Sequence, residues 1–129
     1  MPLVTVQTRR GLTPEQKKLV FDAVHAALVT AFRIPETDRH QRILEHAPED
    51  FEIPPGKGDR YMVVEIDAFA GRSIDAKRLL YKEIVTGLAA AGIPPEDVLI
   101  VVRDIPRESW GVRGGQAGTD VDLGFEIDV

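Results

Sequence analysis

The chain lacks cysteine altogether among its 129 residues, which excludes disulfides, thiolate nucleophiles and cysteine-bound zinc or iron–sulfur clusters. It has no apolar run near the ~18 residues that suggest a membrane span. The segment from Met1 to Val6 lacks the basic start and long apolar run of a signal peptide. Positive charge is in the minority, because 16 Lys and Arg are outnumbered by 21 Asp and Glu, which gives a net charge of −5. We therefore expect a cytoplasmic protein without a membrane or nucleic-acid partner.

The remaining composition is that of one globular domain spanning residues 1–129, with 43% hydrophobic and 29% charged residues. Its three histidines, His25, His40 and His46, do not have the spacing of a metal site, and we expect them to be solvated or capping residues. Its two serines, Ser73 and Ser109, do not lie in a nucleophile elbow. We predict neither a metal site nor a serine nucleophile.

A strand followed by a helix opens the chain. Residues 3–8 alternate as a half-buried strand does. Thr13 and Gln16 then form a capping box, and Pro14 stands at the first helical position. Apolar residues then recur at helical spacing, and Pro35 ends the helix. The apolar positions of this stripe are Leu19, Val20, Ala23, Val24, Ala27, Leu28 and Ala31.

A second unit of the same kind begins at Met62. Residues 62–69 alternate as a strand, Ser73 is placed to cap a helix, and Gly92 lies where a left-handed helix end is expected. The run 98–102 is continuously apolar, which is typical of a strand covered on both faces. The helical stripe consists of Leu79, Leu80, Ile84, Leu88 and Ala91.

The two units match each other at an offset of sixty residues. Gly11 aligns with Gly71, and Thr13 aligns with Ser73. We interpret this as an internal duplication of a βαβ unit, covering roughly residues 2–46 and 62–103. The predicted fold class is therefore α+β: a four-stranded mixed sheet with both helices on one face.

A tail of residues 104–129 follows the repeat and contains a glycine-rich stretch from Gly111 to Gly118. Residues 123–129 alternate as a short strand does, so we expect a small terminal hairpin or strand. Such tails often add to the sheet of a neighbouring subunit, and a two-layer fold leaves one sheet face uncovered. We therefore expect an oligomer.

Pro2 is the first candidate for chemistry. Removal of an initiator Met before a small residue would leave Pro2 as a free secondary amine, whose pKa lies nearer neutrality than that of lysine and falls further in an apolar pocket or beside a cation. Such an amine can transfer protons between carbon and oxygen. If Met1 is retained, the Pro2 nitrogen is an amide and this chemistry is impossible. Proline is also common after Met1 without any function.

Three other residues have both a functional and a structural interpretation. Arg72 follows a strand and precedes the helix cap, where a guanidinium and a helix N-terminus can attract one anion together. On its position alone, a surface arginine on a loop is the commoner case. Asp38 can act in catalysis or cap a loop. Trp110, the only tryptophan, can line a pocket or contact another subunit.

In order and spacing, the segments around these residues resemble the tautomerase superfamily, and especially its malonate semialdehyde decarboxylase-like branch. The resemblance covers nearly the whole chain. It rests on Pro2-Leu3, on residues 31–41 (Ala-Phe-Arg-Ile-Pro…Asp-Arg…Gln), on Arg72-Ser73 and Tyr81-Lys82, on Pro95 to Val98, and on Trp110 with its glycines.

The resemblance implies a homotrimer without a cofactor that acts on a small carboxylate. Pro2 would then transfer the proton, Arg72 would bind or polarise the substrate, Asp38 would position a water or tune the proline, and Trp110 would form part of the pocket wall. Because Ala70 stands where the decarboxylase pattern has a first arginine, tautomerisation of a 2-oxo acid is the favoured function. Decarboxylation or hydration of a 3-oxo acid such as malonate semialdehyde is the alternative, and a non-catalytic oligomeric binding module is a third hypothesis.

Overall fold

The computed structural model describes residues 1–129 and contains a four-stranded mixed sheet. The strands lie in the order β2-β1-β3-β4, where β1 pairs with β2 and β3 with β4 in parallel, and β1 pairs with β3 antiparallel. The predicted fold class is confirmed. The strands are β1 (Pro2–Arg9), β2 (His40–His46), β3 (Met62–Phe69) and β4 (Val98–Ile105).

Two helices, α1 (Pro14–Phe32) and α2 (Ile74–Ala90), each connect a pair of parallel strands. Thr13 and Gln16 form the predicted capping box on α1, and the Ser73 hydroxyl accepts the Ala76 N–H at the start of α2. Gly92 adopts a φ of +86° just after α2, where the backbone bonds of a Schellman motif satisfy the last carbonyls. Neither helix has the length and hydropathy of a membrane span.

The main hydrophobic core lies between the two helices and the sheet face that they cover. Alternate residues of β1 and β3, such as Val4 and Ile66, are buried there against Leu28 and Leu88. Two members of the predicted helical stripes do not join this core, since Leu19 is 50% and Leu79 is 39% exposed. The four-residue spacing placed both at the border of the stripe, where the side chain turns toward solvent.

The opposite face of the sheet is uncovered within one chain. Leu99 is 50% and Val101 is 36% exposed on β4, and Leu44 on β2 is 45% exposed. The prediction that strand 98–102 is covered on both faces is therefore wrong for the single chain. Both helices pack on the same side, so every second residue of the edge strand remains uncovered.

The two βαβ units repeat each other in conformation as well as in sequence. Gly11 after β1 and Gly71 after β3 have φ values of +135° and +136°, which residues with a side chain rarely adopt. Thr13 and Ser73 then cap the two helices in the same way. The sixty-residue offset thus relates the end of β1 to the end of β3.

The tail forms a two-stranded hairpin, β5 (Gly111–Val112) with β6 (Gln116–Ala117), followed by an irregular segment. Arg107 holds the tail by donating from Nη2 to the carbonyls of Gly118, at 2.9 Å, and Val121, at 3.1 Å. The tail contains a hairpin as predicted, but it lies at residues 111–117, and residues 123–129 do not form a strand. They pack across the start of α2 instead, where the Ser73 hydroxyl donates to the Val129 carbonyl at 2.7 Å.

Candidate active site

The topology brings three distant segments to one end of the sheet. Because β1 runs antiparallel to β3, Pro2 lies opposite Ala68, next to the turn that carries Arg72. Because β1 runs parallel to β2, Leu3 lies opposite His40, which places the residues just before β2 beside the start of β1. The chain start, Asp38 and Arg72 are therefore neighbours.

The α-amine at the chain start contacts the carboxylate of Asp38. In this structure the amine belongs to Met1, and Pro2, one residue along the chain, is buried as the first residue of β1. The Asp38 side chain is only 12% exposed, and its other oxygen lies 3.3 Å from His40 Nε2. Asp38 is thus aimed at the amine.

The electrostatic surroundings of this amine act in opposite directions. Burial lowers the pKa of the Met1 α-amine below its ordinary value, and the positive charge of Arg72 lowers it further. The hydrogen bond and charge of Asp38 raise that pKa, but burial is the largest effect and the net direction is downward. An amine in this position is tuned toward neutrality and can exchange a proton near neutral pH.

Arg72 is buried, with 6% of its surface exposed. Its Nη1 donates to the Phe69 carbonyl at 3.0 Å, and its guanidinium carbon lies 4.8 Å from the centroid of the Phe32 ring. Burial lowers the pKa of Arg72 to about 10, against the opposing charges of Asp104, Asp38 and Asp128. The group remains a cation at neutral pH.

Two donors of Arg72, Nε and Nη2, are buried without a hydrogen-bond partner. They form one edge of the guanidinium, the geometry that binds the two oxygens of a carboxylate. A buried donor without an acceptor costs free energy, so this edge favours a ligand that supplies acceptors. The arrangement is suited to a small carboxylate or enolate.

Gly71 allows the tail to lie directly over this turn. A Cβ at this position would lie 2.9 Å from both Ile127 Cγ2 and Asp128 Oδ1. A neighbouring cavity of about 380 Å³ is lined by Ala70, Arg107 and the segment 122–128. The tail is therefore part of the surroundings of the candidate site.

Trp110 lies in a second, smaller core near the chain start. Its ring centroid is 4.8 Å from that of Phe69, and its Nε1 donates to the Ile105 carbonyl at 3.2 Å. Val112 and Ile127 complete this cluster, and the Met1 side chain packs against it. The hairpin folds the indole inward, where it is 8% exposed within the single chain.

The histidines behave differently from one another. His40 is exposed, as predicted, but His25 is buried on α1 with Nε2 unpartnered and 3.6 Å from Glu36. The prediction was wrong for His25, since its helical position faces the core side of α1. His46 Nε2 lies 3.0 Å from Gln7 Oε1, and the His46 ring stacks on Phe51.

Sequence reasoning missed three partners of Arg72, namely the Phe32 ring, the Phe69 carbonyl and the tail residue Asp128. Phe32 is the last residue of α1, and the helical pattern did not show that its ring would face Arg72. Asp128 is distant in sequence and no pattern linked it to Arg72. The Phe69 carbonyl is only three residues before Arg72, so this contact is set by the local shape of the turn after β3, which the sequence pattern did not give.

Comparisons with known proteins identify the family and the fold. Two family models, both described as "Tautomerase enzyme", match residues 38–113 and 2–58. The chain is 26% identical to the probable tautomerase YrdN of Bacillus subtilis (strain 168), over 91% of this chain and 95% of that protein.

Among solved structures, an FG41 malonate semialdehyde decarboxylase inhibited by 3-bromopropiolate shares 28% identity and a TM-score of 0.81, over 88% of this chain and 91% of its own. A fused 4-OT symmetric trimer shares 28% identity and a TM-score of 0.81, over 91% and 96%. These likenesses confirm the resemblance that the sequence motifs indicated.

Proposed function

The chain belongs to the tautomerase family, and on that basis we propose that it moves a proton on a small 2-oxo carboxylic acid, with Pro2 as the acid–base group. The convergence of the chain-start amine, Asp38 and the unpartnered edge of Arg72 supports this proposal. The proposal requires that Met1 be removed, so that the Pro2 nitrogen becomes a secondary amine.

Removal of Met1 would have a second consequence. The Met1 side chain packs against the cluster that contains Trp110 and Phe69, so its loss leaves space beside that cluster. We propose that the substrate occupies that space, between the Pro2 nitrogen and the cluster. This gives Trp110 a role as an apolar wall of the pocket, and intact-mass measurement checks whether Met1 is absent.

In the proposed mechanism, Arg72 holds the substrate carboxylate with Nε and Nη2. The neutral amine of Pro2 takes the proton from the enol oxygen or the carbon next to the carbonyl. Arg72 stabilises the negative charge that develops, and the protonated amine returns the proton at the other position.

The assay that tests this function follows the decay of phenylenolpyruvate by its ultraviolet absorbance. We expect saturable, enzyme-dependent conversion to the keto acid. Failure of the chain without Met1 to accelerate this decay would contradict the tautomerase proposal. Absence of activity both in this assay and in the assay for carbon dioxide described next would favour the non-catalytic binding module.

One observation favours a second candidate function. Asp38, and not Arg72, contacts the amine directly, and a carboxylate in contact favours the cationic form. A cationic Pro2 would act as an acid and stabilise charge in decarboxylation or hydration of a 3-oxo acid such as malonate semialdehyde. Against it, Ala70 leaves Arg72 as the one guanidinium at this turn. Release of carbon dioxide from malonate semialdehyde would favour this candidate.

Replacing Asp38 with asparagine tests how the amine is tuned. The carboxylate raises the pKa of the Met1 amine in this structure. We expect it to act in the same way on the Pro2 amine after Met1 is removed, so its loss should lower the pKa of that amine. Any limb of the pH–rate profile that reports the amine should therefore move to lower pH, and an NMR titration of the Pro2 nitrogen should move in the same direction. Asp75→Asn, an exposed position on α2, is the matched control and should leave both curves unchanged. A pH–rate profile of Asp38→Asn identical to that of the wild type would show that Asp38 does not affect the pKa of the amine.

We also propose that three chains assemble through the uncovered face of the sheet. The apolar side chains of Leu99, Val101 and Leu44 flank a polar strip there, in which Arg103 pairs with Glu65 at 2.6 Å and with Asp67 at 3.3 Å. An apolar face of this kind is typical of an interface between subunits. The fused 4-OT structure to which the chain is similar is a trimer.

Leu99→Asp should break this assembly because it places a charge in an apolar interface. Size-exclusion chromatography with light scattering should show a shift from three chains to one, and circular dichroism should keep its helical signal. Leu19→Asp, equally exposed at 50% but on α1, should leave the mass unchanged. Equal masses for the two variants would locate the interface elsewhere.

A further inference from the structure

The largest of the four surface cavities lies far along the sheet from the candidate active site, at the other end of β1. Its volume is about 570 Å³, which is within the range of roughly 300–1,000 Å³ typical of ligand sites. We refer to it as the arginine cleft. Its lining residues are Arg9, Arg10, Gly11, Pro48, Asp59 and Arg60.

Positive charge dominates the arginine cleft. Three arginines face one aspartate in a protein whose net charge is −5, and none of the three arginines forms an ion pair. Arg9 donates from Nε to the Phe51 carbonyl at 2.8 Å, which fixes one guanidinium without neutralising it. The nearby Glu45 is paired with Lys17 at 2.5 Å. The cleft therefore retains positive charge that a bound anion would neutralise.

The bare backbone of Gly11 brings Arg60 close to the start of α1. A Cβ on Gly11 would lie 3.4 Å from Arg60 Nη1, so the guanidinium lies against the turn before the helix cap. The helix N-terminus adds partial positive charge on the same side. The Gly11 N–H itself donates to Glu45 Oε2 at 3.4 Å, so the charge left for an anion comes from the three guanidinium groups.

The internal repeat relates this cleft to the candidate active site. Met62 starts β3 beside the end of β1, just as Pro2 starts β1 beside the end of β3. Gly11 and Gly71 are equivalent, and Arg10 occupies the position equivalent to Ala70. The cleft at the end of β1 is thus the counterpart, under the repeat, of the proposed catalytic pocket at the end of β3.

The counterpart cannot perform the same chemistry. The Met62 nitrogen lies within the chain and is a peptide nitrogen, so it cannot act as a base. Asp97, which corresponds to Asp38 within one residue, is buried and accepts the Gly58 N–H with both carboxylate oxygens, each at 3.2 Å. The cleft has no free amine, and its one carboxylate, Asp59, is outnumbered by three arginines, so it can bind an anion without converting it.

We propose that the arginine cleft is a non-catalytic binding site for a small multiply charged anion, either a polycarboxylate or a phosphate. Several guanidinium groups around one cavity bind such ions with charge-assisted hydrogen bonds. A single carboxylate has too little charge and too few oxygens to pair with all of them. The proposal does not depend on the proposed function, because it involves none of the residues around the chain-start amine.

Amide NMR titration of the assembled protein tests this proposal. Inorganic phosphate and citrate are titrated in separate arms at constant ionic strength, and the Gly11 and Gly71 amides report the cleft and the candidate active site respectively. We expect saturable shifts at Gly11 in at least one arm, and that arm identifies the anion class. Shifts confined to Gly71, or shifts without saturation across the surface in both arms, would overturn the proposal.

The variant Arg10→Gln/Arg60→Gln should weaken the binding seen at Gly11 by about tenfold or more, since each charge-assisted hydrogen bond contributes appreciably. Lys18→Gln/Arg78→Gln removes the same two charges from exposed helix positions and should change the binding by less than about twofold. The amide spectrum shows that both variants are folded. If both double variants weaken anion binding equally, the effect depends only on net charge and the proposal is overturned.

Discussion

Pro2→Ala is expected to lower kcat/KM for phenylenolpyruvate by about 10²–10⁴-fold, the usual contribution of a positioned acid–base group. Alanine also allows removal of Met1, so the variant still carries an α-amine at the same place in the chain. What it loses is the secondary amine and the ring that fixes the direction of its lone pair. The expected loss therefore reports the proline itself rather than the presence of an amine.

The control for this experiment is Pro55→Ala, which changes a proline in the exposed loop between β2 and β3. It should keep kcat/KM within about twofold of the wild-type value, as expected for a substitution away from the site. A form in which Met1 is retained, verified by intact mass, should be inactive because its Pro2 nitrogen is an amide. Equal activity of the wild type and Pro2→Ala would remove the tautomerase proposal, and full activity with Met1 present would do the same.

Arg72→Ala is expected to lower kcat/KM by about 10²–10³-fold, because it removes the donors that stabilise developing negative charge. The unpartnered Nε and Nη2 edge predicts that much of this loss depends on the substrate carboxylate. The same measurement with the methyl ester of the substrate should therefore show a smaller effect of the substitution. Comparison of acid and ester for both proteins isolates the interaction of Arg72 with the carboxylate.

Arg72 also contacts Phe32 and the Phe69 carbonyl, so its removal affects stability as well. Arg72→Lys keeps the charge but loses the two-donor edge, and we expect a kcat/KM between those of wild type and Arg72→Ala. Arg78→Ala, on the exposed side of α2, is the matched control. If Arg72→Ala affects acid and ester equally while the protein remains folded, Arg72 does not bind the carboxylate.

The surroundings of the amine have opposite effects on its pKa. Burial and Arg72 favour its neutral form, and Asp38 favours its cationic form. Because the same residues can support a base or an acid, the pH profile of the Asp38→Asn variant is informative about the reaction class. The comparison of enol decay with carbon dioxide release then decides between tautomerase and decarboxylase.

Local interactions determined much of the fold, and the sequence predicted them correctly. The caps at Thr13 and Ser73, the left-handed glycine after α2 and the alternation of β1 depend on residues a few positions apart. The sixty-residue repeat added the order of the elements, since two similar βαβ units have few ways to share one sheet. These are short-range signals with a direct physical cause.

The sequence by itself also identified Pro2, Asp38 and Arg72 as candidates, but it could not bring them together. Their proximity depends on the pairing of β1 with β2 and β3, which joins residues up to about seventy positions apart. Burial was equally out of reach: Leu99 is exposed although it lies in an apolar run, and Trp110 is buried although glycines flank it. The sequence pattern determines the local conformation that each segment favours. The packing of distant segments determines which side chains are buried and which groups come into contact, and only the tertiary structure contains that packing.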